Sequence, residues 1–107
     1  AIENVESHIS LSRFQDSFLL RVAGESMRDA GIMDGDLVII RPDVEPNSGD
    51  IVAALLGDEA TVKRFRRKGS RVVLEPENPD FKPVKVDPAR DDFRVVGVVV
   101  GLLRNYK

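Results

Sequence analysis

The sequence predicts a mainly β domain, built of small sheets with one short helical turn. Short runs rich in Val, Ile and Leu recur along the 107 residues, and clusters of Gly, Pro, Asn and Asp separate them. Such punctuated apolar runs are typical of strands, because β-branched side chains suit a pleated surface better than a helix. A chain of this length forms a single domain with a modest core, and without cysteine that core depends on no disulfide.

Six segments have the composition of β-strands. They are 18–22, 37–40, 51–56, 60–65, 71–75 and 93–105. Gly57 and Asp58 predict a hairpin turn between the third and fourth segments. Gly69, which can adopt a positive φ, predicts a second hairpin between the fourth and fifth.

The one helical candidate runs from Ser26 to about Ile32. Ser26 and Asp29 have the spacing of a capping box, and Gly31 is suited to end the turn. In this interpretation the Ser26 hydroxyl caps the helix. Ser26 has a second interpretation as a nucleophile, because the free amides at a helix N-terminus also stabilise an oxyanion.

Composition limits the function classes. The net charge is −2, so the chain lacks the overall positive field of a DNA-binding domain. The absence of cysteine and the single histidine exclude a multi-histidine or thiolate metal site. The longest apolar segment, 95–103, is too short to cross a bilayer as a helix. No membrane association is expected, and a cytoplasmic location fits the lack of cysteine.

A serine nucleophile requires a base, because its hydroxyl is weakly nucleophilic near neutral pH. His8 is one candidate, but it lies in a polar arm over residues 1–16. Lys63 is the other, and it acts as a base only if burial or nearby charge lowers its pKa from about 10.4. Strand alternation places Thr61, Lys63 and Phe65 on one face of the segment EATVKRF.

Two further features leave alternatives open. The basic run Lys63–Arg64 and 66–68 is either a nucleic-acid patch or a solvated hairpin end, and the acidic remainder of the chain favours the second. The segment VVGVVVGLL is either a core strand or an exposed edge that pairs with a second copy across a two-fold axis.

Three stretches carry a resemblance to a known family: FLLRVAGESMRDAGIMDGDLVIIRP, NSGDIVAALLGDEATVKRF and VVLEPENPDFKPV. They closely resemble the C-terminal domain of the LexA family of bacterial SOS-response repressors, whose relatives include phage repressors and UmuD-type mutagenesis proteins. The resemblance covers nearly the whole chain. It implies a fold like the core of signal peptidases, which also use a Ser-Lys pair.

The resemblance also implies roles for particular residues. Ser26 would be the nucleophile, Lys63 the base, and Thr61 the residue that positions the lysine. The backbone amides of Glu25 and Ser26 would form the oxyanion hole. No cofactor and no metal are implied.

The family's reaction is self-cleavage of an Ala-Gly bond in the hinge that joins this domain to an N-terminal helix-turn-helix domain. Ala23–Gly24 is too close to Ser26 to be that bond, so the scissile bond is expected upstream of Ala1. Residues 1–107 would then be one self-cleavage and dimerisation domain, with 1–16 as the arm after the hinge and the DNA-binding domain absent.

The resemblance implies three partners: a RecA filament on single-stranded DNA, a second copy of the chain, and operator DNA through the N-terminal domain. Two alternatives remain open. One is a UmuD-like or phage-repressor-like self-cleaving domain. The other is a non-catalytic dimerisation module.

Overall fold

The computed structural model describes the backbone of residues 2–5 and all of residues 16–105. These residues form eight β-strands and a single-turn 3-10 helix, Arg28–Ala30, which we call the 3-10 turn. The strands are β1 (Ile2–Val5), β2 (Phe18–Val22), β3 (Leu37–Arg41), β4 (Ile51–Leu56), β5 (Glu59–Lys68), β6 (Arg71–Glu75), β7 (Val84–Val86) and β8 (Phe93–Leu103).

All eight strands belong to one sheet, in the order β1-β2-β3-β8-β4-β5-β6-β7, with every neighbouring pair antiparallel. The mainly β class is confirmed, although the strands join in one sheet instead of several small ones. The reason is the length of β8. Its first half pairs with β4 and its second half with β3, and Val98 pairs with both Val52 and Arg41.

Apolar side chains are buried on both faces of the central strands. On β4, Ala53 belongs to one hydrophobic cluster, whereas Val52 and Ala54 belong to another. Each cluster contains a fully buried side chain from β5, Val62 in the first and Phe65 in the second. This two-sided burial explains why β4 is a continuous apolar run in the sequence.

All six strand segments expected from the sequence form strands, with small changes at their ends. Both hairpins are confirmed: β4 pairs with β5 across Gly57, β5 pairs with β6 across Gly69, and both glycines have positive φ. Two strands were not predicted. β7 has three residues and follows a Pro-rich stretch. β1 lies within the expected arm and pairs with β2.

The expected helical turn is shorter than the sequence suggested. Met27, and not Ser26, precedes it, and no side chain caps it. The capping-box prediction is therefore wrong, because the Ser26 hydroxyl is bonded elsewhere and the Asp29 amide donates to the carbonyl of Glu77. Gly31 ends the turn in the left-handed conformation, as expected.

Three arginines of the basic run on β5 contact neighbouring side chains. Arg64 forms an ion pair with Glu77, Arg66 forms one with Glu75, and the Arg67 guanidinium lies 5.2 Å from the centre of the Phe65 ring. These contacts favour the hairpin-end interpretation over a nucleic-acid patch. The part of the chain that the structure describes includes no helix with the length and hydropathy needed to span a bilayer.

Candidate active site

Ser26 lies in a tight loop between β2 and the 3-10 turn. Gly24 begins the loop with a φ of 95°, in the region that favours glycine, and its amide donates to the Asp34 carboxylate at 2.7 Å. Ser26 is half-buried, and Met27 beside it is one of the most buried side chains of the core. The buried Met27 thus anchors the loop, while the neighbouring hydroxyl stays within reach of the surface.

Lys63 extends from β5 to this hydroxyl. Its Nζ lies 3.0 Å from Ser26 Oγ, 2.5 Å from Thr61 Oγ1 and 3.2 Å from the carbonyl oxygen of Val62. The expectation that Thr61 and Lys63 share a face of the strand is confirmed by their hydrogen bond. Two residues separated by 37 positions in the chain are therefore in direct contact.

The hydrogen bonds between Lys63 Nζ and its three oxygen neighbours differ between the two protonation states of the lysine. A charged ammonium donates three hydrogen bonds, one to each oxygen. A neutral amine donates two and accepts one. It can donate to Thr61 Oγ1 and to the Val62 carbonyl, which leaves its lone pair for the hydroxyl proton of Ser26. The same geometry thus serves the resting ammonium and the amine that would remove that proton.

Burial favours the neutral form. Desolvation of the Lys63 amine lowers its pKa below the usual value, and the nearby Glu59 carboxylate opposes this by raising the pKa to a smaller extent. Burial also keeps Thr61 in place, because its side chain is only 8% exposed. The net effect is a lysine that loses its proton more readily than one in water.

The amides proposed for the oxyanion hole sit at the start of this loop. Within residues 16–105, no protein group accepts a hydrogen bond from the N–H of Glu25 or of Ser26. The carbonyl groups of the same two residues, in contrast, accept hydrogen bonds. Glu25 O accepts from Asn78 Nδ2 at 2.8 Å, and Ser26 O accepts from the Glu77 amide at 2.8 Å.

Sequence reasoning missed this supporting segment. Glu77 and Asn78 belong to a Pro-rich cluster that reads as a turn, and nothing in the sequence shows that the Asn78 side chain is buried. In the sequence, Arg64 is only one member of a basic run next to Lys63. The available signal was a polar residue beside proline in a loop, which is common in ordinary turns.

A second unpredicted contact fixes the loop that follows the 3-10 turn. Asp36 is almost fully buried and accepts hydrogen bonds from Arg104 at 2.8 and 2.6 Å and from the Met33 amide at 2.7 Å. The hydrogen bond from Arg104 is the main reason that the pKa of Asp36 is lowered, although burial opposes it. Arg104 also donates to the Gly31 carbonyl at 2.7 Å, which ties the loop to the end of β8.

Two further expectations concern His8 and a bound metal. His8 lies outside the described residues. Among residues 2–5 and 16–105, no group of three or more His, Cys, Asp or Glu side chains could hold a metal ion.

A small β domain with a serine hydroxyl bonded to a half-buried lysine has the features of peptidases that use a Ser-Lys pair. The model of a family described as Peptidase S24-like matches residues 2–100, and the chain belongs to this family.

The curated proteins to which this chain is similar include LexA repressors. The chain is similar to the LexA repressor of Ralstonia pickettii (strain 12J), with 56% identity over 95 residues, 89% of this chain and 44% of the relative. It is 47% identical to the LexA repressor of Bordetella avium (strain 197N), over 99% of this chain and 51% of the relative. The predicted resemblance to a LexA C-terminal domain is confirmed, and the chain spans about half the length of these relatives.

Proposed function

We propose that this chain is the self-cleaving and dimerising domain of an SOS-type repressor, in which Ser26 and Lys63 form the catalytic pair. The observation that carries the proposal is the 3.0 Å contact between Lys63 Nζ and Ser26 Oγ. It brings a nucleophile and a base within hydrogen-bond reach, which is the arrangement that serine activation requires. Membership of a family described as Peptidase S24-like supports the same interpretation.

The proposed reaction is acyl transfer to Ser26 followed by hydrolysis. Neutral Lys63 removes the hydroxyl proton as Oγ attacks the scissile carbonyl carbon. The amides of Glu25 and Ser26 donate to the resulting oxyanion. Lys63 then gives its proton to the leaving amine as the peptide bond breaks. Water, deprotonated by Lys63, hydrolyses the acyl-enzyme, so the net change is one water added across one peptide bond.

The register of β1 supports a substrate segment that precedes it. β1 pairs antiparallel with β2, and Ile2 lies opposite Val22. A chain that enters β1 from upstream would therefore pass beside residues 23–26, where Ser26 lies. This direction fits a hinge with an Ala-Gly bond upstream of Ala1 as the substrate. Thr61, in this proposal, positions the Lys63 amine through the 2.5 Å hydrogen bond.

The partners of the proposed function are those of an SOS repressor. A RecA filament on single-stranded DNA would promote cleavage, and a helix-turn-helix domain joined through the hinge would bind operator DNA. The relatives are named repressors, and the length they have beyond this chain is consistent with such a domain.

The test uses a chain in which the proposed hinge segment precedes Ala1. About twenty residues span roughly 65 Å when extended, more than the 40 Å long axis of the domain. Intact-mass measurement should show two products whose masses sum to that of the parent plus one water. Ser26→Ala and Lys63→Ala should each abolish the products. Mass also distinguishes hinge cleavage from cutting at Ala23–Gly24 or Ala30–Gly31, and continued cleavage by either variant would refute the assigned pair.

A second function, dimerisation, is favoured by β8. From Val99 to Leu103 this strand pairs with β3 alone among the described residues, and Val100 and Leu102 are each 39% exposed. An unpaired strand side next to apolar side chains is suited to pairing with a second copy. Sedimentation equilibrium should give a dimer, and Val100→Asp should shift it toward monomer. A monomer at all accessible concentrations would refute this function without affecting the peptidase proposal.

A further inference from the structure

The backbone on both sides of Ser26 is held by one short segment. Asn78 Nδ2 donates to the Glu25 carbonyl at 2.8 Å, and the Glu77 amide donates to the Ser26 carbonyl at 2.8 Å. The Glu77 carbonyl in turn accepts from the Asp29 amide at 2.8 Å. These three contacts join residues about fifty positions apart in the chain. The 3-10 turn itself closes through two other amides, since Arg28 donates to the Glu25 carbonyl at 3.2 Å and Ala30 donates to the Met27 carbonyl at 3.1 Å.

The orientation of the Asn78 side chain follows from its partners. One end of the amide faces the Glu25 carbonyl, which accepts hydrogen bonds only, so this end is the NH₂ group. The other end receives the Asp80 amide at 3.0 Å and is therefore the oxygen. Asn78 is 5% exposed, so water does not compete strongly for either bond. Both ends of the side chain are thus satisfied in one orientation only.

The Glu25 carbonyl and the Ser26 N–H belong to the same peptide unit. This unit is planar and trans, so its C=O and N–H point in opposite directions. A hydrogen bond that fixes the carbonyl of Glu25 therefore also fixes the direction of the Ser26 N–H. Asn78 binds the carbonyl side of this peptide unit. It thereby orients the Ser26 N–H on the opposite side, which is one of the two amides proposed for the oxyanion hole.

The same segment is attached to the strand that carries the base. Arg64 follows Lys63 on β5, and its Nε donates to the Glu77 carboxylate. Its Nη1 donates to the Gly49 carbonyl at 2.6 Å, so the guanidinium is held by a second partner. Arg64 therefore connects the segment 77–78 to β5. The same segment holds the Ser26 loop through the backbone amide of Glu77 and the side-chain amide of Asn78.

We propose that Asn78 is a positioning residue for the cleavage reaction, which aims the Ser26 amide at the developing oxyanion by anchoring the Glu25 carbonyl. Asn78 does not touch the reacting atoms. The inference rests on the proposed function, because it assumes that Ser26 is the nucleophile and its amide an oxyanion donor. The position of Asn78 in the sequence, beside a proline in a loop, does not suggest this role.

Two substitutions test the role in the hinge-containing chain. Asn78→Asp keeps the oxygen that accepts from Asp80 but removes the donor to Glu25, whereas Asn78→Leu removes both bonds without adding charge. We expect the plateau cleavage rate at alkaline pH to fall roughly 10- to 100-fold in both variants, less than the 10²–10³-fold loss typical of deleting an oxyanion donor. The midpoint of the rate–pH curve should stay unchanged for Asn78→Leu, because the surroundings of Lys63 are intact.

The outcomes separate this inference from the proposal beneath it. A normal plateau rate for Asn78→Asp would overturn the positioning role, even if Asn78→Leu is slow or unfolded. A shifted midpoint for Asn78→Leu would overturn it as well, because the substitution would then act through Lys63. Ser26→Ala in the same assay tests the proposed function independently. If that variant still cuts the hinge, the nucleophile is wrong, whatever Asn78 does.

Discussion

Replacement of Lys63 by methionine should change the pH dependence of stability in a direction that the structure determines. Methionine fills similar space but carries no proton. In the wild-type chain, burial lowers the pKa of Lys63 in the folded state, whereas in the unfolded state it returns to about 10.4. Between these two values the unfolded chain binds more protons than the folded chain.

The sign and the largest slope follow from this difference in bound protons. Stability rises with pH wherever the unfolded state binds more protons, by at most about 1.4 kcal/mol per pH unit for one group. The free-energy cost of burying the charged Lys63 amine is therefore fully present below its folded-state pKa. This cost decreases as pH rises above that pKa and is gone above the unfolded-state pKa. The Lys63→Met variant has no amine to titrate, so this pH-dependent cost is absent. The wild type should therefore gain stability relative to the variant between the folded-state and unfolded-state pKa values of Lys63.

Urea denaturation of both chains between about pH 7 and pH 11 measures this difference. Subtraction of the two curves removes the titration of every other group that the two chains share. In the hinge-containing chain, the same variant should lose roughly 10²–10⁴-fold in cleavage rate, the usual contribution of a general base. Parallel stability curves for the two chains would refute the reasoning, because they would mean that Lys63 titrates alike in the folded and unfolded states.

Three further outcomes are expected. Thr61→Val removes the 2.5 Å bond to Lys63 Nζ, so cleavage should slow by about 10-fold or more while the fold is kept. Arg104→Met should lower the free energy of unfolding by about 2–3 kcal/mol at neutral pH in urea titrations, since Asp36 is buried while Arg104 is partly exposed. The difference should shrink as pH falls and Asp36 becomes protonated. Because its pKa is lowered in the folded state, the stability that the Asp36 carboxylate contributes is present above its unfolded-state pKa and is lost as pH falls through its folded-state pKa. Gly97→Ala should cost about 1–3 kcal/mol by the same measurement, because a Cβ there would lie 2.6 Å from a backbone oxygen of β3.

The pairing of Lys63 with Thr61 was predictable from the sequence because it is local. Two residues on one strand share a face by alternation alone, and the structure places their side chains in contact. The strand segments were predictable for the same reason, since their composition and the turns at Gly57 and Gly69 are properties of short windows. The sequence alone left His8 and Lys63 as candidate bases for Ser26, and the family resemblance favoured Lys63.

The supporting contacts were not predictable from local pattern. Asn78 reaches Glu25 across 53 positions, and Arg104 reaches Asp36 across 68. No window of sequence contains both partners, and each residue alone resembles an ordinary surface polar group. The capping prediction at Ser26 failed for the related reason that a tertiary contact with Lys63 replaced a local one. Long-range polar contacts of this kind decide the geometry of the site, and periodicity does not reveal them.

The claim at the centre of this account is that Lys63 activates Ser26, and labelling with a fluorophosphonate tests it on the 107-residue chain itself. Peptide mapping by mass spectrometry should locate the adduct on Ser26. The labelling rate should rise with pH to a plateau and should fall sharply in Lys63→Met. An adduct on another residue, or equal labelling of Ser26 in wild type and Lys63→Met, would contradict the claim.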